Sequence, residues 1–242
     1  MLELWQAGAA DIYIKRHFPN LISSSKLIHD VDLSLVHTNF FVDYPKLVAP
    51  NTKYVGGMNL REGRPLEGKF RDFVDGAKKG VVLFSLGYTG FKPKDVPEIL
   101  VSAFIEAFSK LEQRVIMRFD PSLVETIPKN ILIVPWFPQH DLLAHPKTVL
   151  FVTHCGMTGI LEAVYHSVPM LALPIFGDQP DNAARLVERG LALKVDRLGM
   201  CVLCHRYLNI IRYARHTLTE REVTKALREL LDNPQYMAQV SR

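Results

Sequence analysis

One loop in the second half of the chain has the residue types of a phosphate-binding site. Residues 153–159 read Thr-His-Cys-Gly-Met-Thr-Gly and follow the apolar run 149–152. The run predicts a strand, and the spacing beyond the loop predicts a helix. Small residues at the start of a helix let backbone amides approach an anion at the positive helix terminus. The loop therefore predicts a seat for phosphate, to which His154 would add a hydrogen bond and Thr158 a hydroxyl group.

Neighbouring residues extend this loop towards a nucleotide site. Glu162 lies four residues past Thr158, which places it one helical turn, about 6 Å, further along the axis. A carboxylate at that position can accept hydrogen bonds from both hydroxyls of a ribose. Trp136 and Gln139 follow the strand-like run 131–134. Trp136 offers a plane on which a base can stack, and Gln139 offers an amide for the ribose or the base edge.

Two more predicted strands end in small or polar residues. The run 170–173 leads into Pro-Ile-Phe-Gly-Asp-Gln, whose Asp178 and Gln179 suit the hydroxyls of a sugar. The run 81–86 ends at Gly87. In an open parallel sheet, ligands bind outside the carboxyl ends of the strands, where the loops pass into helices. Together, these loops therefore predict subsites for a base, a ribose, a diphosphate and a sugar.

Taken one at a time, these residues also have purely structural explanations. A glycine pair that opens a helix often serves close packing. Trp136 could pack in the core, His154 could be a half-buried histidine with its hydrogen bonds satisfied, and Glu162 could be solvated. Asp178 and Gln179 could form a turn, and Ser85 and Thr158 could cap helices. Only their ordered conjunction along the chain favours a binding site.

Strands and helices alternate through most of the chain. Segments with helical spacing separate six apolar runs, at 81–86, 115–117, 131–134, 149–152, 170–173 and 191–193. A capping box, Thr219 with Glu222, predicts the start of a last helix. The alternation predicts an α/β fold with a parallel sheet covered by helices on both faces. A stretch rich in Pro, Gly and charge at 45–68 predicts a linker, so we place a domain boundary near Gly68.

The bulk composition argues against several classes of protein. The 242 residues carry 29 Lys and Arg against 25 Asp and Glu, a net charge of +4, without a basic run that would suit a nucleic acid. Three cysteines, Cys155, Cys201 and Cys204, are an odd number and argue against a disulfide-framed scaffold. No stretch approaches the roughly 18 apolar residues that span a bilayer, and no signal-like leader follows Met1. We expect no nucleic-acid partner and leave the cellular location open.

These motifs closely resemble the signature of the UDP-glycosyltransferase family, and that of the animal UDP-glucuronosyltransferases in particular. The resemblance rests on Trp-Phe-Pro-Gln-His-Asp-Leu-Leu-Ala-His-Pro from Trp136, Phe-Val-Thr-His-Cys-Gly from Phe151, and Phe-Gly-Asp-Gln-Pro-Asp-Asn-Ala from Phe176. It extends back through Val-Leu-Phe-Ser-Leu-Gly at 82–87 and Asp-Tyr-Pro at 43–45. The resemblance therefore covers most of the chain.

The resemblance implies a GT-B architecture of two domains. Residues 69–242 would form the Rossmann-like C-terminal domain that binds the donor, and residues 1–68 a remnant of the N-terminal acceptor domain with its linker. The implied reaction is an inverting, metal-independent transfer from UDP-glucuronate or UDP-glucose to a hydroxyl of a small lipophilic acceptor, without a further cofactor. The family's full-length members imply a place at the endoplasmic reticulum membrane.

The same resemblance implies roles for the donor-site residues. It assigns the uracil to Trp136 and the ribose to Gln139 and Glu162. The diphosphate would contact His154, Thr158 and Gly159, with Ser85 and Gly87 beside it. The sugar would contact Asp178 and Gln179, and Gly156 and Asn182 belong to the same donor site.

The sequence departs from the family pattern in several places. The family's acceptor-activating histidine and its aspartate partner have no counterpart, so we assign no residue of this chain a catalytic role. An alternative to a transferase is therefore a donor-binding module without turnover that pairs with a full-length relative. Tyr88 stands where the family usually has a small residue, and residues 199–216 interrupt the pattern as an insertion.

Two short motifs resemble cofactor or metal sites by spacing alone. Cys-Val-Leu-Cys-His at 201–205 has the spacing of a c-type haem attachment site or half of a zinc site, but no second ligand pair accompanies it. Asp-Val-Asp at 30–32 resembles a metal-binding Asp-x-Asp motif, but it precedes a strand-like run. We therefore predict a turn at 30–32 and no cofactor at 201–205.

Overall fold

The structure is a computed structural model that describes residues 11–20, 23–24, 26, 30–87, 96, 98–175, 177–195 and 218–241. Our predictions for Tyr88, for the insertion 199–216 and for the motif at 201–205 fall outside these residues. The described residues lie in two compact units, one within Met1–His37 and Pro45–Gly56 and the other within Thr38–Tyr44 and Gly57–Arg242.

The first unit contains a helix over residues 11–17 and two short strands. The strands β1 (Ser34–Val36) and β2 (Thr52–Tyr54) pair in parallel, with Ser34 opposite Thr52. A turn and a bend at residues 30 and 32 precede β1, as the Asp-Val-Asp motif predicted. The sequence does not predict β2, because three residues inside a polar stretch carry no apolar periodicity.

The second unit is built on a parallel sheet of six strands. These are β3 (Val81–Ser85), β4 (Arg114–Arg118), β5 (Ile131–Val134), β6 (Thr148–Thr153), β7 (Met170–Ala172) and β8 (Ala192–Lys194). They lie in the order β5-β4-β3-β6-β7-β8, and each pairs in parallel with its neighbours. The chain thus builds the sheet outwards from β3 to one edge and then from β6 to the other. The strands β3 and β6 therefore meet at the topological switch point of a doubly wound sheet.

Helices cover both faces of this sheet, as predicted. They are α1 (Gly68–Asp75), α2 (Glu98–Ser109), α3 (Gln139–Leu143), α4 (Met157–Tyr165), α5 (Gln179–Glu188), α6 (Glu220–Asp232) and α7 (Pro234–Val240), with a 3₁₀ turn at Pro121–Leu123. The capping box predicted at Thr219 and Glu222 opens α6. Among the described helices, none has both the length and the apolar character needed to cross a membrane.

Strand β3 explains why the predicted strands are apolar at nearly every position. Successive side chains of a strand point to opposite faces of the sheet. Leu83 packs into the cluster that contains residues of α4 and α5, whereas Phe84 packs into the cluster that contains residues of α2 and α6. All five residues of β3 are buried. Both faces of the central strand are therefore core.

The second unit also includes a segment that lies before the predicted boundary at Gly68. Arg61 Nη1 lies 2.7 Å from Asp141 Oδ1 on α3, and the same carboxylate oxygen accepts the backbone N–H of Arg64 at 2.8 Å. The Arg61 guanidinium lowers the pKa of Asp141 below its ordinary value. Residues 57–68 thus lie in the same compact unit as the sheet. Polar contacts with no sequence periodicity tie this charged segment to α3.

Candidate functional site

The loops after β3 and β6 lie side by side, and the ring of His154 fills the space between them. A Cβ atom added to Gly87 would lie 2.6 Å from His154 Nε2, and one added to Gly156 would lie 2.6 Å from the same atom. Gly87 also has a φ of +77°, which L side chains rarely adopt. Both glycines are therefore required by the close approach of the loops to the imidazole.

Ser85 closes β3 just before this contact. The side chain is 1% exposed, and its Oγ accepts the N–H of Gly87 at 3.4 Å. The hydroxyl therefore holds the turn at the strand end. Its place beside the His154 ring puts it at the edge of the predicted phosphate seat.

The predicted phosphate seat is the first turn of α4. Gly156 is the N-cap residue and has no side chain that could accept the first N–H groups of the helix. Thr158 and Gly159 are the second and third helical residues, so their backbone N–H groups have no partner within the helix. Thr158 is exposed and is not the cap. These N–H groups are the donors that an anion at a helix start would use.

Two titratable groups beside this seat are neutral at physiological pH. Burial lowers the pKa of His154 below its ordinary value, and nearby Asp178 only partly offsets that shift. The imidazole can therefore donate one N–H without carrying a charge. Burial raises the pKa of Cys155 to about 12, so its thiol is protonated and is not a nucleophile.

The two residues predicted to hold a ribose are in contact. Gln139 Nε2 donates to Glu162 Oε2 at 2.6 Å, across the gap between α3 and α4. A histidine that sequence reasoning missed lies beside the same carboxylate, and a second histidine contacts the first. His140 Nδ1 lies 3.7 Å from Glu162 Oε1, and His140 Nε2 lies 3.0 Å from His166 Nε2 and 2.5 Å from the Arg61 carbonyl oxygen. His140 follows Gln139 in the sequence, but a lone histidine gives no specific signal.

Trp136 is a surface residue and not part of the core. Its side chain is 62% exposed at the end of β5. The guanidinium of Arg118, the last residue of β4, lies 4.5 Å from the centre of the Trp136 ring. Sequence reasoning missed Arg118, because a single arginine at a strand end has no distinctive spacing. The indole thus lies exposed at the carboxyl end of β5, with the Arg118 guanidinium over its ring.

The residues predicted to contact a sugar occupy the start of α5. Asp178 is exposed, and its Oδ2 accepts from Asn182 Nδ2 at 2.7 Å. The same Asn182 amide donates to the carbonyl of Cys155 at 3.1 Å. Gln179 is 4% exposed, and its Oε1 accepts the N–H of Ile175 at 2.9 Å. Asn182 is therefore a buried link between the loops after β6 and β7, whereas Asp178 faces solvent.

Loops at the carboxyl edge of a doubly wound sheet, with a glycine-opened helix at the switch point, are typical of α/β domains that bind nucleotides. Residues 17–242 match the family described as UDP-glucoronosyl and UDP-glucosyl transferase. The chain belongs to this family.

Similar curated proteins carry related names. UDP-glucuronosyltransferase 2B14 of Oryctolagus cuniculus is 34% identical over 220 residues, which are 90% of this chain and 38% of that protein. UDP-glucuronosyltransferase 2B7 of Homo sapiens is 32% identical over 219 residues, which are 90% of this chain and 37% of that protein. The chain thus spans less than half the length of these relatives.

Solved structures share the fold at low sequence identity. The glycosyltransferase of kitacinnamycin matches with a TM-score of 0.66 and 22% identity, over 96% of this chain and 54% of its own. A UDP-glucose:anthocyanidin 3-O-glucosyltransferase in complex with UDP matches with a TM-score of 0.59 and 22% identity, over 78% of this chain and 41% of its own. These likenesses confirm the predicted fold class, a GT-B glycosyltransferase domain with a Rossmann-like sheet.

The packing of His154 against Gly87 predicts a graded loss of stability. Gly177→Ala should lower the free energy of unfolding by about 1 kcal/mol, because Gly177 also has a positive φ, of +65°, but nothing within 4 Å of an added Cβ. Gly87→Ala should lower it by about 2 to 4 kcal/mol, because the added Cβ also meets the imidazole. Urea denaturation measures both variants. Equal losses would show that the ring does not restrict the loop.

Burial also predicts a pH dependence of stability. Burial lowers the pKa values of His145, His154 and His166 below the ordinary value of 6.5. The folded state then binds fewer protons than the unfolded chain, so these groups stabilise the fold above pH 6.5 and that contribution is lost as the pH falls through their folded pKa values. The thermal midpoint should therefore fall between about pH 7.5 and about pH 5.5. His154→Gln should reduce that fall, and an unchanged fall would contradict the assignment.

Proposed function

We propose that this chain forms the donor site of a UDP-glycosyltransferase and binds the UDP part of a nucleotide sugar. The observation that carries the proposal is the contact between Gln139 and Glu162, which joins the loop of Trp136 to the helix of the phosphate seat. A nucleoside diphosphate needs a plane for its base, acceptors for its ribose and donors for its phosphates. These three features follow one another along one edge of the sheet.

The donor then binds in a defined order along that edge. The uracil stacks on Trp136, and the Glu162 carboxylate, oriented by Gln139, accepts the ribose hydroxyls. The diphosphate receives the N–H groups at the start of α4 and one N–H of His154. The sugar lies against Asp178 and Gln179. Family membership supports a UDP-sugar as the donor, and one structurally similar glucosyltransferase is known in complex with UDP.

The transfer step is part of the same proposal. An acceptor hydroxyl gives its proton to a base, and its oxygen bonds to the anomeric carbon of the sugar from the face opposite the diphosphate. The bond from that carbon to the diphosphate oxygen breaks, and UDP leaves with inversion; no residue of this chain is assigned as the base. The negative charge that develops on the diphosphate is stabilised by the fixed N–H groups of Thr158 and Gly159 and by neutral His154. Glucuronate or glucose is the transferred sugar, and a small lipophilic alcohol or phenol is the acceptor. The segment before the sheet, residues 1–68, belongs to the acceptor side of the family's architecture and to the linker.

Calorimetric titration of UDP into the 242-residue chain tests the donor site. Trp136→Ala should weaken UDP binding about ten-fold, because base stacking on an aromatic ring is lost, whereas Trp136→Phe should retain most of the affinity. Glu162→Ala should also weaken binding about ten-fold, because two hydrogen bonds to a charged acceptor are lost.

Glu106→Ala is the matched control for Glu162→Ala. Glu106 is an exposed carboxylate on α2, paired with Lys110 on the same helix and absent from the site. Its replacement should leave UDP affinity unchanged. No UDP binding by the wild-type chain at millimolar nucleotide, or equal affinities for all four variants, would reject the proposal.

A further inference from the structure

Residues 38–44 form a segment far from the donor motifs in sequence that packs against α5. Val42 is fully buried, and the Asp43 side chain is 4% exposed. Asp43 Oδ2 accepts from Thr38 Oγ1 at 3.4 Å, and Asp43 Oδ1 lies 3.4 Å from Arg185 Nε. A buried carboxylate needs such a cation, because an unpaired charge in this environment would be strongly destabilising. The ion pair keeps the Arg185 guanidinium beside Asp43, although Arg185 Nε itself makes no hydrogen bond to a described residue.

Arg185 also contacts Asn182, a residue of the predicted donor site. Its Nη1 donates to Asn182 Oδ1 at 3.0 Å. The other end of the Asn182 amide donates to Asp178 Oδ2 and to the Cys155 carbonyl. A continuous set of polar contacts therefore leads from the segment 38–44 to the loops after β6 and β7.

The chemistry of the partners determines which way the Asn182 amide points. A guanidinium can only donate hydrogen bonds, so it must face the amide oxygen, and a carboxylate can only accept them, so it must face the amide nitrogen. Asn182 is 1% exposed, so water does not readily replace either partner. Removal of Arg185 would leave the buried Asn182 oxygen unsatisfied. The Asp178 carboxylate and the Cys155 carbonyl would still require the nitrogen, so the side chain would keep its orientation but lose the contact that holds its oxygen end.

We propose that Arg185, held by Asp43, is a positioning residue for the sugar subsite. It fixes the Asn182 amide so that Asn182 holds the Asp178 carboxylate towards the donor sugar. The inference rests on the proposed function, because it takes Asp178 to contact the sugar. It makes sugar recognition depend on a segment that precedes the sheet by about forty residues.

Arg189 offers a matched comparison on the same helix. Its Nη2 donates to the Asp43 carbonyl at 2.5 Å and its Nε donates to the Val42 carbonyl at 3.4 Å. Both arginines lie against the Tyr44 ring, Arg185 at 5.6 Å and Arg189 at 5.7 Å from its centre. The described contacts of Arg189 include none with Asn182. Loss of Arg189 therefore tests packing of the segment without altering the amide.

Calorimetry measures the dissociation constants of the 242-residue chain for UDP and for a nucleotide sugar, and their ratio is the preference for the nucleotide sugar. The nucleotide sugar is UDP-glucuronate or UDP-glucose, whichever binds more tightly. Arg185→Ala should reduce the preference for the nucleotide sugar over UDP about five-fold while UDP itself binds nearly as before. Arg185→Lys should restore part of that preference, because the ammonium is also a pure donor. Arg189→Ala should lower the thermal midpoint but leave the preference unchanged.

The outcomes separate this inference from the proposal on which it rests. Absence of UDP binding in the wild-type chain would reject the donor site itself. Normal UDP binding with equal effects of Arg185→Ala on both ligands would overturn only the positioning role. An equal loss of preference in Arg189→Ala would overturn it as well, because general packing of the segment would then explain the effect. A wild-type chain that does not prefer a nucleotide sugar to UDP would also overturn the positioning role of Arg185.

Discussion

The close approach of the loops after β3 and β6 is the constraint on which the site depends. The two strands are neighbours at the switch point, where ligands bind in doubly wound sheets. The His154 ring occupies the space between the two loops because Gly87 and Gly156 have no side chains. A larger residue at either glycine would push the loops apart or expel the ring. The phosphate seat is thus a consequence of backbone geometry as much as of donor chemistry.

A neutral imidazole at the proposed phosphate seat suits a leaving group that gains negative charge. Burial keeps His154 uncharged, so the imidazole and the first N–H groups of α4 would act on the phosphates as oriented dipoles. Fixed N–H groups do not need to reorganise as charge develops, which is the basis of electrostatic stabilisation in enzymes. The first turn of α4 is held in place from two sides, by Gln139 through Glu162 and by Asn182 through the Cys155 carbonyl. Donor binding and the transfer step would therefore share one rigid element.

The sequence predicted the parallel sheet, its strands and the residues at the strand ends, because apolar runs and glycine loops are local signals. It placed Gln139 and Glu162 together, and the structure has them in contact. It could not reveal Arg118 or Arg185, since single charged residues act through partners that are distant in the chain. Nor could it reveal the contact of Arg61 with Asp141 inside the stretch 45–68, because that contact joins residues about eighty positions apart. Long-range polar contacts have no periodicity from which they could be predicted.

A crystal structure of the 242-residue chain with UDP would show directly whether the nucleotide binds at the carboxyl edge of the sheet. We expect the uracil ring stacked on Trp136, the ribose hydroxyls on Glu162, and the diphosphate oxygens within hydrogen-bond distance of the Thr158 and Gly159 N–H groups. UDP bound elsewhere, or with its diphosphate away from the start of α4, would contradict the proposed donor site.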